Sequence, residues 1–273
     1  MRFTEHLARL IASREGADDP IWRYATKTGA RGLARTLELE LPELYAMATL
    51  ESWPEEPEEW DAIVVKPTSA SNSRGVLPLV RKDDGTWRSM FGDGGARPWE
   101  GWRKWSALER ARHYELGVEP YSDSFLFEEL VERRMDSGAR LLPYDWKLYA
   151  IHGRVAWANQ IDKTSSRNSK SYRTAHWWRT DAGLIRGNRI IHQPRQPARL
   201  PAPPLDRERE LLEAADRMAR FLRMETGTPF VRLDFFVEPA RVLFGEVTPH
   251  PSGGKEVYDD EADRILGNLW SGS

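Results

Sequence analysis

Two stretches near the C-terminus carry charged groups spaced for joint chemistry. In Val231-Arg232-Leu233-Asp234-Phe235-Phe236-Val237, Arg232, Asp234 and Phe236 fall on one face of an otherwise apolar strand. In Leu243-Phe244-Gly245-Glu246-Val247-Thr248, Glu246 and Thr248 alternate in the same way. If these strands pair, the carboxylates of Asp234 and Glu246 converge on one spot. Carboxylates that close repel, and do not both ionise unless a cation sits between them. Oxygen-only ligands at such a place favour Mg²⁺ or Mn²⁺, generally shared with substrate phosphates. The alternative is a solvated strand face with an Arg232–Asp234 ion pair, because antiparallel sheets tolerate a polar face.

The elements that must hold these residues follow from periodicity and punctuation. Apolar spacing predicts helices over residues 4–13 and 27–36, and the acidic, proline-bearing run 51–59 predicts an exposed linker. Ala62-Ile63-Val64-Val65 is a continuous apolar strand; with residues 75–80 it predicts an antiparallel hairpin whose tip is the loop 67–74. Further on come a helix over 99–116, strands over 124–131, 146–151 and 155–161, and a proline-rich bridge over 194–204. An amphipathic helix over 206–224, strands over 230–237 and 242–247, and a helix near 259–269 complete the series. Hairpins outnumber βαβ units, so the expected architecture is α+β. Three parts are expected: 1–57, an N-terminal portion; 58–131, a hairpin lobe; and 132–273, the lobe with the carboxylate strands.

Composition removes several classes of function. The 273 residues carry 40 basic and 42 acidic side chains, for a formal charge of −2, which makes no electrostatic case for nucleic acid or an anionic membrane. The run Lys163-Thr164-Ser165-Ser166-Arg167-Asn168-Ser169-Lys170-Ser171-Tyr172-Arg173 is short, and a solvated loop is its default reading. With no cysteine, thiolate metal sites, disulfides and a cysteine nucleophile are excluded. A membrane span would need about 20 predominantly apolar residues, and no such run occurs. The first residues include an acid and no continuous apolar stretch, so a soluble cytoplasmic protein is the simplest expectation. The twelve tryptophans are expected mostly as half-buried packing residues, as suits a large ring with one N–H.

On these stretches the sequence resembles the ATP-grasp superfamily, and within it the TupA-like (teichuronopeptide-biosynthesis-type) branch. The resemblance spans residues 27–269 and is densest at the hairpin, at Phe127-Glu128-Glu129-Leu130-Val131 and at the carboxylate strands. It implies an ATP-grasp fold with ATP between a lid lobe and a C-terminal lobe. Asp234 and Glu246 would bind the magnesium ions, with Thr248 standing where asparagine is usual, followed by Pro251 and Gly253. Arg232 matches the arginine that faces the developing oxyanion in peptide-forming ligases, a role suited to a fixed guanidinium. Lys66 and the small-residue loop closing at Gly75 would cover the phosphates; Glu128, Glu129 and Val131 would form the hinge at the adenine edge. Asp145 would meet the ribose hydroxyls, and Lys147, Lys163 and the earlier Lys27 would contact phosphate. His250 would lie beside the metal loop.

The implied activity is an ADP-releasing ligase joining a carboxylate to an amine through an acylphosphate. The substrates implied are an amino acid, a peptide or a cell-surface polymer precursor. A hydroxyl-directed ATP-grasp kinase and a non-catalytic nucleotide-binding module are the alternatives; retention of both Asp234 and Glu246 weighs against the second.

Overall fold

A computed structural model describes residues 1–14, 18–69, 75–92, 95–115, 123–134, 138, 140–163, 172–187, 190–191, 196–197 and 200–272. The chain opens with helices α1 (Phe3–Arg14), α2 (Trp22–Ala25) and α3 (Lys27–Thr36). Strands β1 (Leu44–Thr49), β2 (Ala62–Pro67), β3 (Leu77–Arg81), β4 (Trp87–Ser89) and β5 (Ala96–Arg97) precede α4 (Trp99–Glu115). Next come β6 (Ser124–Glu129), β7 (Arg133–Arg134), β8 (Arg140–Leu141), β9 (Tyr144–Ile151) and β10 (Arg154–Asp162). Then follow β11 (Arg173–Thr180), β12 (Gly183–Arg186), β13 (Gln196–Pro197) and α5 (Leu205–Thr226). The antiparallel pair β14 (Phe230–Val237) and β15 (Val242–Thr248) leads through a tight turn, Pro251–Gly254, to α6 (Asp260–Ser271). Among the described residues no helix is long and apolar enough to cross a membrane.

Two compact units result, one of Met1–Leu41, Pro143–Lys163 and Asn168–Ser273, the other built on Pro42–Leu142. The first 41 residues thus join the C-terminal segments, and residues 42–57 join the hairpin lobe.

The first unit is a sheet in the order β12-β11-β10-β9-β14-β15, with β13 on β11. Strand alternation gives the sheet two different faces. Leu148, Ala150, Val231 and Leu233 bury one face beneath α5, whose Leu211, Ala215, Met218 and Leu222 form its apolar stripe. Asp206 and Glu208 in its first turn and Arg223 in its last complement the helix dipole, and Gly227, at φ 69°, supplies the left-handed C-cap. On the other face, α1 and α6 cover only the aromatic end, where Phe3, Leu7 and Leu266 meet Tyr149, Trp157 and Phe230. The rest of that face is polar, with Asp145, Lys147, Asn159, His176 and Asp234 buried on it. Leu233 is fully buried directly behind the candidate site. Leu233→Ala is therefore expected to cost about 2–5 kcal/mol, measured by urea unfolding; an unchanged midpoint would mean α5 does not set the strand.

The second unit is a sheet in the order β1-β6-β2-β3-β4-β5. Its core is rich in aromatic side chains: Trp87, Trp99 and Trp102 pack with Phe125 and Phe127. Trp102 Nε1 donates to the Trp87 carbonyl (3.0 Å) and Trp99 Nε1 to the Pro54 carbonyl (2.8 Å). These rings, with Trp146, Trp157 and Trp177, are buried outright, contrary to the half-buried expectation. Backbone acceptors inside the fold remove the need to leave the Trp99 and Trp102 N–H groups in water. Residues 51–59 are also less of a linker than expected. Glu51, Ser52 and Glu55 are exposed, but Trp53 packs on Phe127 and Glu56 accepts from Trp87 Nε1 (2.9 Å).

Candidate active site

In the first unit the cross-strand register brings the charged residues together. Asp234 lies directly opposite Glu246 on β15 and opposite Lys147 on β9. Lys147 is opposite Asn159, and Asn159 opposite His176. One polar row, His176–Asn159–Lys147–Asp234–Glu246, therefore crosses five strands on a single face, because directly paired residues point the same way. The neighbouring row holds Arg232 between Tyr149 and Thr248.

Arg232 does the work of a cation between the two acids. Its Nε donates to Asp234 Oδ1 (2.6 Å), and its Nη2 reaches Asp234 Oδ2 (2.9 Å), Glu246 Oε1 (3.2 Å) and Thr248 Oγ1 (2.9 Å). Nη1 makes no hydrogen bond among the described residues. Lys147 Nζ pairs with Asp234 and with Asp145 (3.1 Å), and Lys163 Nζ pairs with Asp145 (2.6 Å). Asp145 thus joins Lys147 and Lys163, Asp145 and Lys147 being buried. The expected ribose and phosphate contacts start from ion pairs within the protein. Asp234 is 4 % exposed, whereas the Glu246 side chain keeps 40 % of its surface open.

The electrostatics are uneven across the row. Burial pushes Asp234 above its ordinary value, and Glu246 and Asp145 add to that against Arg232 and Lys147. Burial would also raise Glu246, but Lys147, Arg232 and Lys27 outweigh it and bring it down to about 2. Asp145 is likewise penalised by burial, yet Lys147, Lys163 and Arg232 hold it well below the usual carboxylate range. Arg232 stays charged: burial opposes the charge, and Asp234, Tyr149 and Glu246 more than restore it. Lys27 acts on Glu246 from the start of α3, where the Thr26 hydroxyl accepts from Gly29 N–H (3.1 Å) as N-cap.

The second unit holds the other expected residues. Lys66, the residue before the last of β2, pairs with the Glu128 carboxylate, which is buried beside it on β6. Both lie on one face of the β2–β6 pair, since Val64 sits opposite Glu128 and Lys66 opposite Leu126. Glu128 therefore faces a lysine in this structure. Glu129 exchanges bonds with Glu43: its N–H donates to the Glu43 carbonyl (2.8 Å) and its carboxylate accepts from Glu43 N–H (3.2 Å). The strand ends there, and Leu130 and Val131 leave it buried. Gly75 is a buried turn residue at φ 67°, so β3 begins at Leu77 and not at residue 75. Ala70 to Arg74 and Thr164 to Ser171 lie outside the described residues.

Sequence reading missed several polar residues around this site. Asn159 is fully buried, accepts from Thr174 Oγ1 (2.6 Å), and its Nδ2 has no hydrogen-bond partner among the described residues. Buried Glu256 accepts from Tyr258 (2.8 Å), Tyr149 (3.3 Å) and Ser252 (3.3 Å). Arg14, far away in sequence, binds His250. A polar residue inside the apolar run 155–161 was the available signal for Asn159; the other two have none without register.

A family model described as TupA-like ATPgrasp matches residues 9–271. No protein with a curated description matches the sequence. Among solved structures, D-alanine–D-alanine ligase from Helicobacter pylori is 16 % identical at a TM-score of 0.49, over 91 % of this chain and 58 % of that one. D-alanine–D-alanine ligase from Bacillus anthracis complexed with ATP is 13 % identical (TM-score 0.43; 83 % and 53 % covered). An L-amino acid ligase from Bacillus licheniformis is 12 % identical (TM-score 0.48; 91 % and 47 % covered). The chain spans less than two thirds of the length of each of these three proteins. With the family match running over nearly its whole length, the chain belongs to the TupA-like ATP-grasp family and has that family's α+β fold.

Proposed function

We propose that the chain is an ATP-dependent carboxylate–amine ligase that forms an amide or peptide bond through an acylphosphate. The observation that carries this reading is Arg232, held by Nε and Nη2 on Asp234, Glu246 and Thr248 with both N–H groups of Nη1 uncommitted among the described residues. A guanidinium locked from one side and open on the other is preorganised for charge that appears during reaction. In the proposed sequence a substrate carboxylate attacks the γ-phosphorus of ATP, releasing ADP. An amine then attacks the acyl carbon, the carbonyl oxygen gains negative charge, and phosphate leaves as the amine loses its proton. Arg232 would meet that oxygen.

The donor set suits a divalent cation. Among the described residues no three His, Asp or Glu side chains form a ready-made metal cage, but Mg²⁺ is ordinarily held by one or two carboxylates together with waters and substrate phosphates. Asp234, Glu246 and Thr248 offer two carboxylates and a hydroxyl on paired strands, and the Glu246 side chain keeps 40 % of its surface open. Bound there, Mg²⁺ would neutralise the phosphates of ATP. Lys27, Lys147 and Lys163 are the phosphate-binding candidates of the same unit, with Asp145 for the ribose. In the second unit Lys66 and Gly75 would serve the phosphates and Glu128, Glu129 and Val131 the adenine.

The test is to supply ATP and Mg²⁺ with pooled carboxylates and amines, following ADP and new amide masses together. Amine-dependent ADP release with an amide product is expected. ADP matched by a phosphorylated hydroxyl compound, with no amide, would instead identify a kinase. Lys66→Ala is expected to weaken ATP binding and turnover together, since it removes a cation from the phosphates; unchanged nucleotide affinity by calorimetry would remove Lys66 from the site.

A further inference from the structure

His250 leaves β15 two residues after Thr248, and its ring is held from an unexpected direction. Arg14, the last residue of α1, is only 6 % exposed. It pairs through Nε with Asp19 Oδ2 (2.7 Å), and its Nη2 donates to Thr228 Oγ1 (2.5 Å). Thr228 in turn donates to the Phe230 carbonyl at the start of β14 (2.7 Å). The remaining nitrogen, Nη1, lies 3.1 Å from His250 Nε2. One side chain thus ties together the end of α1, the start of the arginine-bearing strand and the turn beyond the carboxylate strand.

The chemistry of this contact fixes the imidazole. A guanidinium only donates, so Nε2 must be the acceptor and carries no proton. The proton of the neutral ring is then on Nδ1, because the bond made by one ring nitrogen sets the state of the other. Nδ1 makes no hydrogen bond among the described residues, and the ring is half-buried. Trp22 stands edge-on to it at 5.0 Å and keeps 42 % of its surface exposed. Asp19 balances the charge of Arg14, leaving His250 as the uncommitted donor of the group.

We infer that His250 is a substrate-contacting residue that donates through Nδ1–H to a carboxylate or acyl oxygen of the substrate, and that Arg14 is its positioning residue. The inference rests on the ligase reading for its substrate, but the state of the ring does not. With Nε2 taken by Arg14 the ring has only a donor to offer, which pairs with a carboxylate or acyl oxygen and not with an ammonium group.

The experiment has two arms. In the first, ¹⁵N spectra of the histidine-labelled protein, assigned with His250→Asn, read both ring nitrogens. An N–H-type Nδ1 and a bare Nε2 are expected, and a protonated Nε2 overturns the inference. In the second, the twenty L-amino acids serve as carboxylate pool with hydroxylamine as amine, and hydroxamate is measured. Asparagine can keep a donor near the Nδ1 position and glutamine reaches toward Nε2, so His250→Gln should raise the carboxylate KM about tenfold, the scale of one lost hydrogen bond, and His250→Asn should raise it less. ATP KM should change in neither. Arg14→Met, where it folds, should mix the tautomers and raise only the carboxylate KM. Equal behaviour of the two His250 variants, beside an active wild type, overturns the contact. No hydroxamate from wild type takes the substrate contact down with the ligase reading, while the ring spectrum still decides the Arg14–His250 geometry.

Discussion

Glu246→Gln is expected to bring Mg²⁺-dependent ADP formation to background while leaving the protein about as stable as wild type; Asp234→Asn should abolish activity and also weaken the fold. Each removes a charge that would balance metal and phosphate, but the two acids are not equivalent in the ligand-free protein. The Glu246 side chain is 40 % open and makes one 3.2 Å contact with Arg232. Asp234 is buried and bound by both nitrogens of the Arg232 fork and by Lys147. Taking one partner out of a buried pair costs about 3–5 kcal/mol, and Asn, which keeps a carbonyl acceptor, belongs at the low end. Activity would be read as ADP with and without EDTA, and stability by urea unfolding. Near-normal turnover in both folded variants would rule out these strands as the metal site. A wild-type urea midpoint for Asp234→Asn would show that the Arg232–Asp234 fork is not a stabilising contact.

Arg232→Met is expected to lower amide formation about 100- to 1,000-fold, equivalent to about 2.7–4 kcal/mol of lost oxyanion stabilisation, with a much smaller change in ATP affinity. The structure adds a control. Lysine at this position can still pair with Asp234, but as a point charge it cannot bind there and present a second pair of donors at once. Arg232→Lys should therefore approach wild type in unfolding and remain near Arg232→Met in amide formation. A kinase has no tetrahedral carbon to stabilise, so an equal fall of ADP release and hydroxyl phosphorylation would count against ligation. If Arg232→Lys recovered full amide formation, the open Nη1 would have no part in the reaction.

Much of the architecture was legible in the sequence because it rests on local rules. The amphipathic run 206–224 became α5 with one residue added at its N-terminal end and two at its C-terminal end, closed by Gly227, and the apolar run 62–65 paired with the residues after Gly75 as a hairpin. The misjudged places were those decided by distant partners. Residues 51–59 look like a linker until Trp53 finds Phe127, and the tryptophans look half-buried until backbone carbonyls satisfy Trp99 and Trp102. Neither contact leaves a trace in composition or period.

The candidate site divides in the same way. The period of two in a strand is enough to put Arg232 beside Asp234, and Glu246 beside Thr248, whatever the rest of the chain does. Which of these pairs with which is a matter of register. Here a bulge between Asp234 and Phe235 falls just after the position where Asp234 meets Glu246, and the opposite edge of β14 sets Lys147 against the same carboxylate. Only the tertiary structure could decide that Arg232 bridges both acids, that Lys147 lies between Asp145 and Asp234, and that Arg14 reaches His250 across 236 residues of chain. The physical reason is range: alternation is a property of neighbouring residues, whereas ion pairs and burial depend on which surfaces the folded chain brings together.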